Sequence, residues 1–314
     1  MNAAKHKSQR ISSSAVTDFS TGDFLHEGQR LVYDVYGSGR DTVVLLPGLL
    51  LSRKMQDPLA RALAERGRRV ISLDLLGHGE SDRPADMWRY SMTQFAEQTV
   101  ALLDELNIRR AVVGGTSLGA NVTLETAMLA PGRIQGLIVE MPVLDNALVA
   151  CALAFTPMLV GFTFGAPLAR LVNQVARRVP RGLHNLWDVG LDWASQDPAP
   201  SAAVLQGLFF GRTAPPRSER RTIKAPALVI GHSRDPVHPF SDSDMLVREL
   251  PNGRLVEASS IFELRLTPER LTGEIAEFVD HCWNPRPQGQ NHGARGTGTS
   301  RARRGPQRLR RDDG

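Results

Sequence analysis

Ser117 stands in Gly115-Thr116-Ser117-Leu118-Gly119, directly after the apolar run Ala111-Val112-Val113 and directly before a helical pattern that runs from Leu118 to Ala130. A chain that passes from strand to helix in so few residues must turn so tightly that the positions two away from the serine have to be small. Gly115 and Gly119 meet that demand. The hydroxyl then projects above the sheet, and the first free amide of the following helix, that of Leu118, can donate to a developing oxyanion. A serine hydroxyl is a poor nucleophile at neutral pH, so this chemistry also needs a positioned base, worth roughly 10²- to 10⁴-fold, and a group that orients it. Other chemistries have less support. The eight histidines and two cysteines show no His-x-x-x-His or Cys-x-x-Cys spacing, so no metal site is expected. Ala120 stands where a phosphate-binding loop needs lysine, and no Gly-x-Gly-x-x-Gly occurs, so no cofactor is expected.

The elements that must position Ser117 follow from periodicity. Short, almost wholly apolar runs predict strands at Leu31–Tyr36, Thr42–Leu46, Arg69–Leu73, Ala111–Val113, Gly136–Val139, Ala227–Ile230 and Arg254–Glu257. Amphipathic stretches predict helices near Pro58–Arg66, Thr93–Leu106, Leu118–Ala130, Asp242–Leu250 and Pro268–Cys282. Strand and helix alternate, and strands apolar on both faces belong to a parallel sheet covered on both sides, so the fold class is α/β. The alternation breaks over residues 145–222, a Pro-punctuated segment that reads as a helical insertion. Asn146 to Ala169 carries no charge, and about 20 apolar residues suffice to span a membrane. Thr156, Pro157, Gly161, Thr163 and Pro167 interrupt it, which favours an apolar lid over a pocket.

Charge is segregated. The 314 residues carry a formal +5, but residues 284–314 hold eight Arg against two Asp, a net of +6, leaving −1 for the rest. The body therefore gives no reason to expect a specific nucleic-acid partner, and the Arg-rich tail is expected to be disordered, with at most a weak membrane-surface contact. Two cysteines are too few for a disulfide framework, and residues 1–25 lack a signal-like apolar run, so the expectation is a cytoplasmic protein. Residues 1–28 are expected to form a flexible arm, 29–144 and 223–283 the core, and 145–222 the lid. The 34 Arg against 4 Lys fit a GC-rich bacterial genome.

Several segments together resemble the α/β-hydrolase fold family over roughly residues 29–283. Besides the serine turn, Val43-Val-Leu-Leu-Pro-Gly48-Leu49 is similar to that family's oxyanion strand end, which implies the Leu49 amide as second donor beside Leu118. Asp74-Leu-Leu-Gly77-His78-Gly79-Glu-Ser81 matches the family's Asp-x-x-Gly-His-Gly-x-Ser loop, in which His78 is structural. Gly231-His232-Ser-Arg-Asp235-Pro-Val-His238-Pro239 matches the loop that carries the acid, implying Asp235. The family places its base on the loop after the last strand, and there this chain has Ile261, with no histidine between His238 and His281.

The base is thus open at this stage. His238 and His232 flank Asp235, although a histidine so close to its own acid needs an unusual loop path. His78 projects from a neighbouring strand end. Glu140 follows the next strand, where some relatives carry their acid, and could work with Asp235 in a carboxylate scheme. His184 and Trp187 could reach down from the insertion. The resemblance implies a hydrolase that acts through Ser117 on an ester or related acyl compound with an apolar acyl group. The alternative is a non-hydrolytic member of the fold, a binder of a small apolar ligand or a catalyst of another class such as a cofactor-free peroxidase-like enzyme. Either way the partner is a small apolar molecule, and the oligomeric state is open.

Overall fold

A computed structural model describes residues 19–182 and 185–284 of the protein. The strands are β1 (Phe19–His26), β2 (Gln29–Tyr36), β3 (Thr42–Leu46), β4 (Arg69–Asp74), β5 (Ala111–Thr116), β6 (Ile134–Glu140), β7 (Ala227–His232) and β8 (Gly253–Ala258). The helices that follow β3, β4 and β5 are α1 (Asp57–Glu65), α2 (Met92–Glu105) and α3 (Leu118–Leu129). Between β6 and β7 lie α4 (Leu148–Phe164), α5 (Ala166–Ala176), α6 (Asn185–Ala194), α7 (Pro198–Phe210) and α8 (Arg217–Arg220). The chain closes with α9 (Phe240–Glu249) after β7, and α10 (Glu263–Leu266) and α11 (Glu269–Trp283) after β8.

The strands form one eight-stranded sheet in the order β1-β2-β4-β3-β5-β6-β7-β8. β2 pairs antiparallel with β1 and β4, and every other neighbouring pair is parallel. The two-residue period of a strand divides the apolar residues between the faces. Val44, Leu46, Val113, Leu137 and Val229 join the core under α2, α3 and α9, while Val43, Leu45, Val112, Ile138 and Leu228 join the one under α1 and α11. Covered on both sides, β3, β5 and β7 are buried at every position. Ser91 caps α2 by accepting the Gln94 amide at 3.1 Å.

One boundary needs correction. Residues 19–26, expected in a flexible arm, form β1 and pair along their whole length with β2, from Phe19 opposite Tyr36 to His26 opposite Gln29. The run Phe-Ser-Thr-Gly-Asp-Phe-Leu-His fully buries only Phe24, so its hydrophobic signal is weak. The strand is held by its turn and its partner. Glu27 and Gly28 have φ of 49° and 76°, as a tight two-residue hairpin requires, and Thr21 donates to Asp34 at 2.7 Å. Residues 1–18, Leu183, His184 and 285–314, which include the rest of the expected arm and nearly all of the tail, lie outside the described residues.

The uncharged run of the insertion divides into α4 and α5 at Gly165, with a bend of 95°. Among the described residues no single helix is long and apolar enough to cross a membrane, although the two helices of this bent pair together have that length and composition.

Candidate active site

The site forms at the carboxyl ends of the central parallel strands. Three of the non-glycine residues with left-handed backbone sit there: Leu50 (φ 55°) beyond β3, Ser117 (φ 54°) after β5 and Met141 (φ 55°) after β6. Such conformations cost of order 1–3 kcal/mol each and persist where the surroundings over-determine them. For Ser117 the constraint is visible. A Cβ on Gly115 would run into the Gly119 backbone, and one on Gly119 would fall 2.6 Å from the Leu46 carbonyl. Only glycine lets β5, the serine turn and α3 close this tightly. The Ser117 amide donates to the Glu140 carbonyl at 2.8 Å, which anchors the turn to the end of β6.

The Ser117 hydroxyl lies 2.8 Å from Nε2 of His238, and Nδ1 of His238 lies 2.9 Å from Oδ2 of Asp235. The loop reaches this arrangement by folding round the acid. Oδ1 of Asp235 accepts the backbone amides of Val237 and His238 at 2.8 and 2.9 Å, leaving Oδ2 for the ring three residues on. Asp followed by Pro236 is the residue pair that opens such a turn. The path that made His238 look awkward from sequence is therefore a short side-chain-to-backbone turn.

The electrostatics set the proton positions. Burial pushes the Asp235 carboxyl up, but the bonds from the His238 ring and from the two backbone amides outweigh it, and the group is held below the usual carboxylate range. Ionised Asp235 can only accept, so Nδ1 carries the ring proton and Nε2 is left to accept from the Ser117 hydroxyl. The Asp235 side chain is 5% exposed and that of His238 15%, so these bonds form with little competing water.

Ser117, Leu49 and Leu118 line one cavity of about 220 Å³, whose remaining wall is mainly Met92, Val143, Leu148, Cys151, Phe155, Leu205, Leu208 and Phe209. The polar side chain of Asn121 is already committed, donating to the carbonyls of Val143 and Thr213 and accepting the Val143 amide. Burial, with Asp242 and Asp235 nearby, pushes the Cys151 thiol up to about 11, so it is protonated at neutral pH.

The other candidates lie elsewhere. His78 is buried, with Nδ1 on the Leu76 carbonyl at 2.9 Å and its ring edge-on to Phe95. His232 has Nδ1 on the Ser260 carbonyl at 2.9 Å, and its Nε2 faces Glu140 at 3.7 Å. Glu140 is not available for a carboxylate scheme, because its two oxygens are engaged by Arg265 at 2.6 and 2.8 Å and by the Thr116 hydroxyl at 2.5 Å. Trp187 donates from its ring to the Pro180 carbonyl at 3.3 Å, and His184 lies outside the described residues.

Sequence reasoning missed Arg265. It stands on α10, in the same loop after β8 where Ile261 occupies the expected position of the base, and it sends a guanidinium under the serine turn to Glu140 and Thr116. Gln56 completes the cluster, donating to the Leu46 carbonyl at 3.0 Å and to Thr116 at 3.2 Å. Burial alone would raise the Glu140 carboxyl, yet Arg265, His232 and Thr116 together hold it far below the usual range. Arg265 and Glu140 are 125 residues apart in sequence, and no local pattern marks them as a pair.

A sheet with this strand order, a strained serine at the end of β5 and helices inserted after β6 is the architecture of the α/β hydrolases. The model for the alpha/beta hydrolase fold matches residues 41–260, and the chain belongs to that family. Its relatives include hydrolases. The AB hydrolase superfamily protein YisY of Bacillus subtilis is 26% identical over 261 residues, covering 77% of this chain and 92% of the relative. A 2-hydroxymuconate semialdehyde hydrolase of Pseudomonas putida is 30% identical over 206 residues, 60% of this chain and 68% of that one. Among solved structures, the enol-lactonase of Burkholderia xenovorans superposes with a TM-score of 0.67 at 23% identity, over 82% of this chain and 99% of that chain.

Proposed function

We propose that the protein is a serine hydrolase of esters or related acyl compounds with an apolar acyl group, with Ser117 as nucleophile, His238 as general base and Asp235 as the acid that orients it. The observation that carries this reading is the continuous relay from Ser117 Oγ to His238 Nε2 at 2.8 Å and from His238 Nδ1 to Asp235 at 2.9 Å. In the first half-reaction Ser117 Oγ attacks the acyl carbon while its proton passes to Nε2, and the imidazolium then protonates the departing alcohol. Water completes the cycle by the same route, its proton going to Nε2 as it attacks the acyl-enzyme, and Ser117 recovering that proton as it leaves. The Leu118 amide at the start of α3, with the Leu49 amide, is the proposed donor pair for the oxyanion. The apolar wall beside Ser117 would receive the acyl chain.

The absence of a base from the loop after β8 favours a non-hydrolytic reading, and the 2.8 Å contact between His238 Nε2, on the loop after β7, and Ser117 Oγ supports the hydrolytic one instead.

A fluorophosphonate probe tests this without knowledge of the natural substrate. Labelling should be fast, confined to Ser117 and abolished in Ser117→Ala, and His238→Ala should slow it by about 10²- to 10⁴-fold, the range of general-base help. Undiminished labelling in a folded His238→Ala protein would remove His238 from the mechanism. A straight-chain acyl ester series should show kcat/KM rising about fourfold per methylene until the cavity is filled, since each buried methylene contributes about 0.8 kcal/mol.

A further inference from the structure

Two helices of the insertion, α4 beside the cavity and α5 after it, are turned the wrong way for a protein surrounded only by water. α4 carries no charged residue, and none of its residues is fully buried. One side is used inward: Cys151 and Phe155 line the cavity, and Met158 and Phe162 pack on the core. Val149, Leu153, Val160 and Phe164 lie half a turn away on the opposite side and are exposed, Phe164 at 82%. A helix apolar on both faces is ordinarily buried on both.

α5 is plainer still. Its buried positions are Asn173 and Ala176, whereas Leu168, Leu171, Val172 and Val175 form an exposed stripe. The polar residue faces in and the leucines face out, the reverse of an amphipathic helix docked on its own protein. The 95° bend at Gly165 sets the two helices as an angled pair of exposed apolar faces.

Charge bears on what would cover them. From Asn146 to Gly182 the chain has no Asp or Glu; of its four arginines, Arg181 pairs with Asp192 and Arg177 donates to the Ser195 carbonyl, while Arg178 flanks the α5 stripe and Arg170 lies on the far side of that helix, both exposed. In a two-fold pairing of this face with a second copy, the flanking Arg178 would meet no carboxylate, since the segment carries none, so charge does not favour that pairing. Neither end of the chain complements the face, since residues 284–314 carry a net of +6 and residues 1–18 hold two Lys and one Arg against one Asp. An anionic bilayer matches both features, taking apolar side chains into its acyl boundary while Arg178 reaches its phosphates.

We propose that the α4–α5 face docks on the surface of an anionic membrane, lying in the interface without spanning it. Because the inner side of α4 lines the cavity that holds Ser117, docking places that cavity beside the lipid acyl region. The proposal is independent of the chemistry at Ser117.

Sedimentation of the full-length protein with vesicles tests it, using phosphatidylcholine alone and phosphatidylcholine containing phosphatidylglycerol. The protein should bind the anionic vesicles and bind neutral ones at least about tenfold more weakly, with added salt weakening the anionic case. Leu168→Asp with Leu171→Asp, in a variant checked as folded by circular dichroism and thermal melting, should cost at least about tenfold, because two exposed leucines leave the apolar contact. Arg178→Gln should cost about fivefold, and Arg170→Gln, on the far side of α5, less. The double Asp variant retains the Arg-rich tail, so unchanged binding would assign the lipid contact to the tail and overturn the proposal. Absence of binding by the unaltered protein would also overturn it. So would a dimer that dissociates in the double Asp variant, with no vesicle binding, since a second copy would then be the occupant.

Discussion

At the scale of the residue, the serine turn is held by two polar clusters of different kind. The Ser117 side chain points to His238, while that of its neighbour Thr116 points the other way, into Glu140, Arg265 and Gln56. Glu140 and Arg265 are a buried pair with good two-point geometry, and such a pair is costly to break from one side because the remaining charge is left without a partner. Arg265→Leu is therefore expected to destabilise the protein by about 3–5 kcal/mol, and adding Glu140→Gln should restore most of that. Denaturant melts of the two variants check this; additive losses would mean that the two residues do not act as a pair. The sign of the pH dependence follows from the direction of the shift. Glu140 is held below its ordinary value of 4.5, so the pair contributes fully at neutral pH and its contribution fades as the pH falls below about that value.

At the scale of the element, the loop that carries His238 and the start of the insertion are tied together through α9. Asp242, in the first turn of α9 and fully buried, accepts the backbone amides of Leu144, Asn146 and Ala147 and the Asn146 side chain, at 2.8 to 3.1 Å. The second half of the insertion is moored separately, where Gln196 donates to the Leu50 carbonyl and Arg212 pairs with Glu125. α4 thus hangs between two anchors, and one of them begins two residues after His238. Asp242→Ala leaves three backbone amides without their acceptor and should cost about 3 kcal/mol or more, since bonds to a charged acceptor contribute about 1.5–3 kcal/mol each. Fluorophosphonate labelling of Ser117 should slow as well, because α9 fixes where the His238 loop ends. A destabilised variant that labels at the normal rate would show that Asp242 holds only the insertion.

At the scale of the whole molecule, folding buries an uncharged histidine, and this makes stability depend on mild acid. His78 is pushed down to about 4 by burial, with Arg83 adding to the effect against the Leu76 carbonyl. The unfolded chain takes up that proton near the ordinary value of 6.5 and the folded one only near 4, so between these values the unfolded state holds more protons and stability falls as the pH falls. The loss should reach roughly 3 kcal/mol by pH 4, at about 1.4 kcal/mol per unit of pKa difference. Thermal melts between pH 7 and pH 4 measure it, and a His78→Asn protein should show a flatter profile over that interval. An identical slope in the variant would place the acid sensitivity elsewhere.

What could be read from the chain without its structure was whatever is encoded within a few residues. β3 to β7 declared themselves because strands covered on both faces must be largely apolar, and the two glycines flanking Ser117 mark a turn that no larger residue can make. β1 did not, because its register comes from a hairpin turn and from the edge of β2, and its own residues bury little. Asp235 and His238 were both legible as candidates, yet only the fold brings His238, rather than His232, His78 or Glu140, beside Ser117. That choice depends on where the ends of β5, β6 and β7 meet, a distance of 121 residues along the chain and 2.8 Å in space for Ser117 and His238. The same holds for Arg265 and Glu140, and for the outward leucines of α5, whose sequence is that of any amphipathic helix. Local sequence dictates backbone period and turn geometry; which side chains meet, and which apolar face is left uncovered, is settled by packing between segments far apart in the chain.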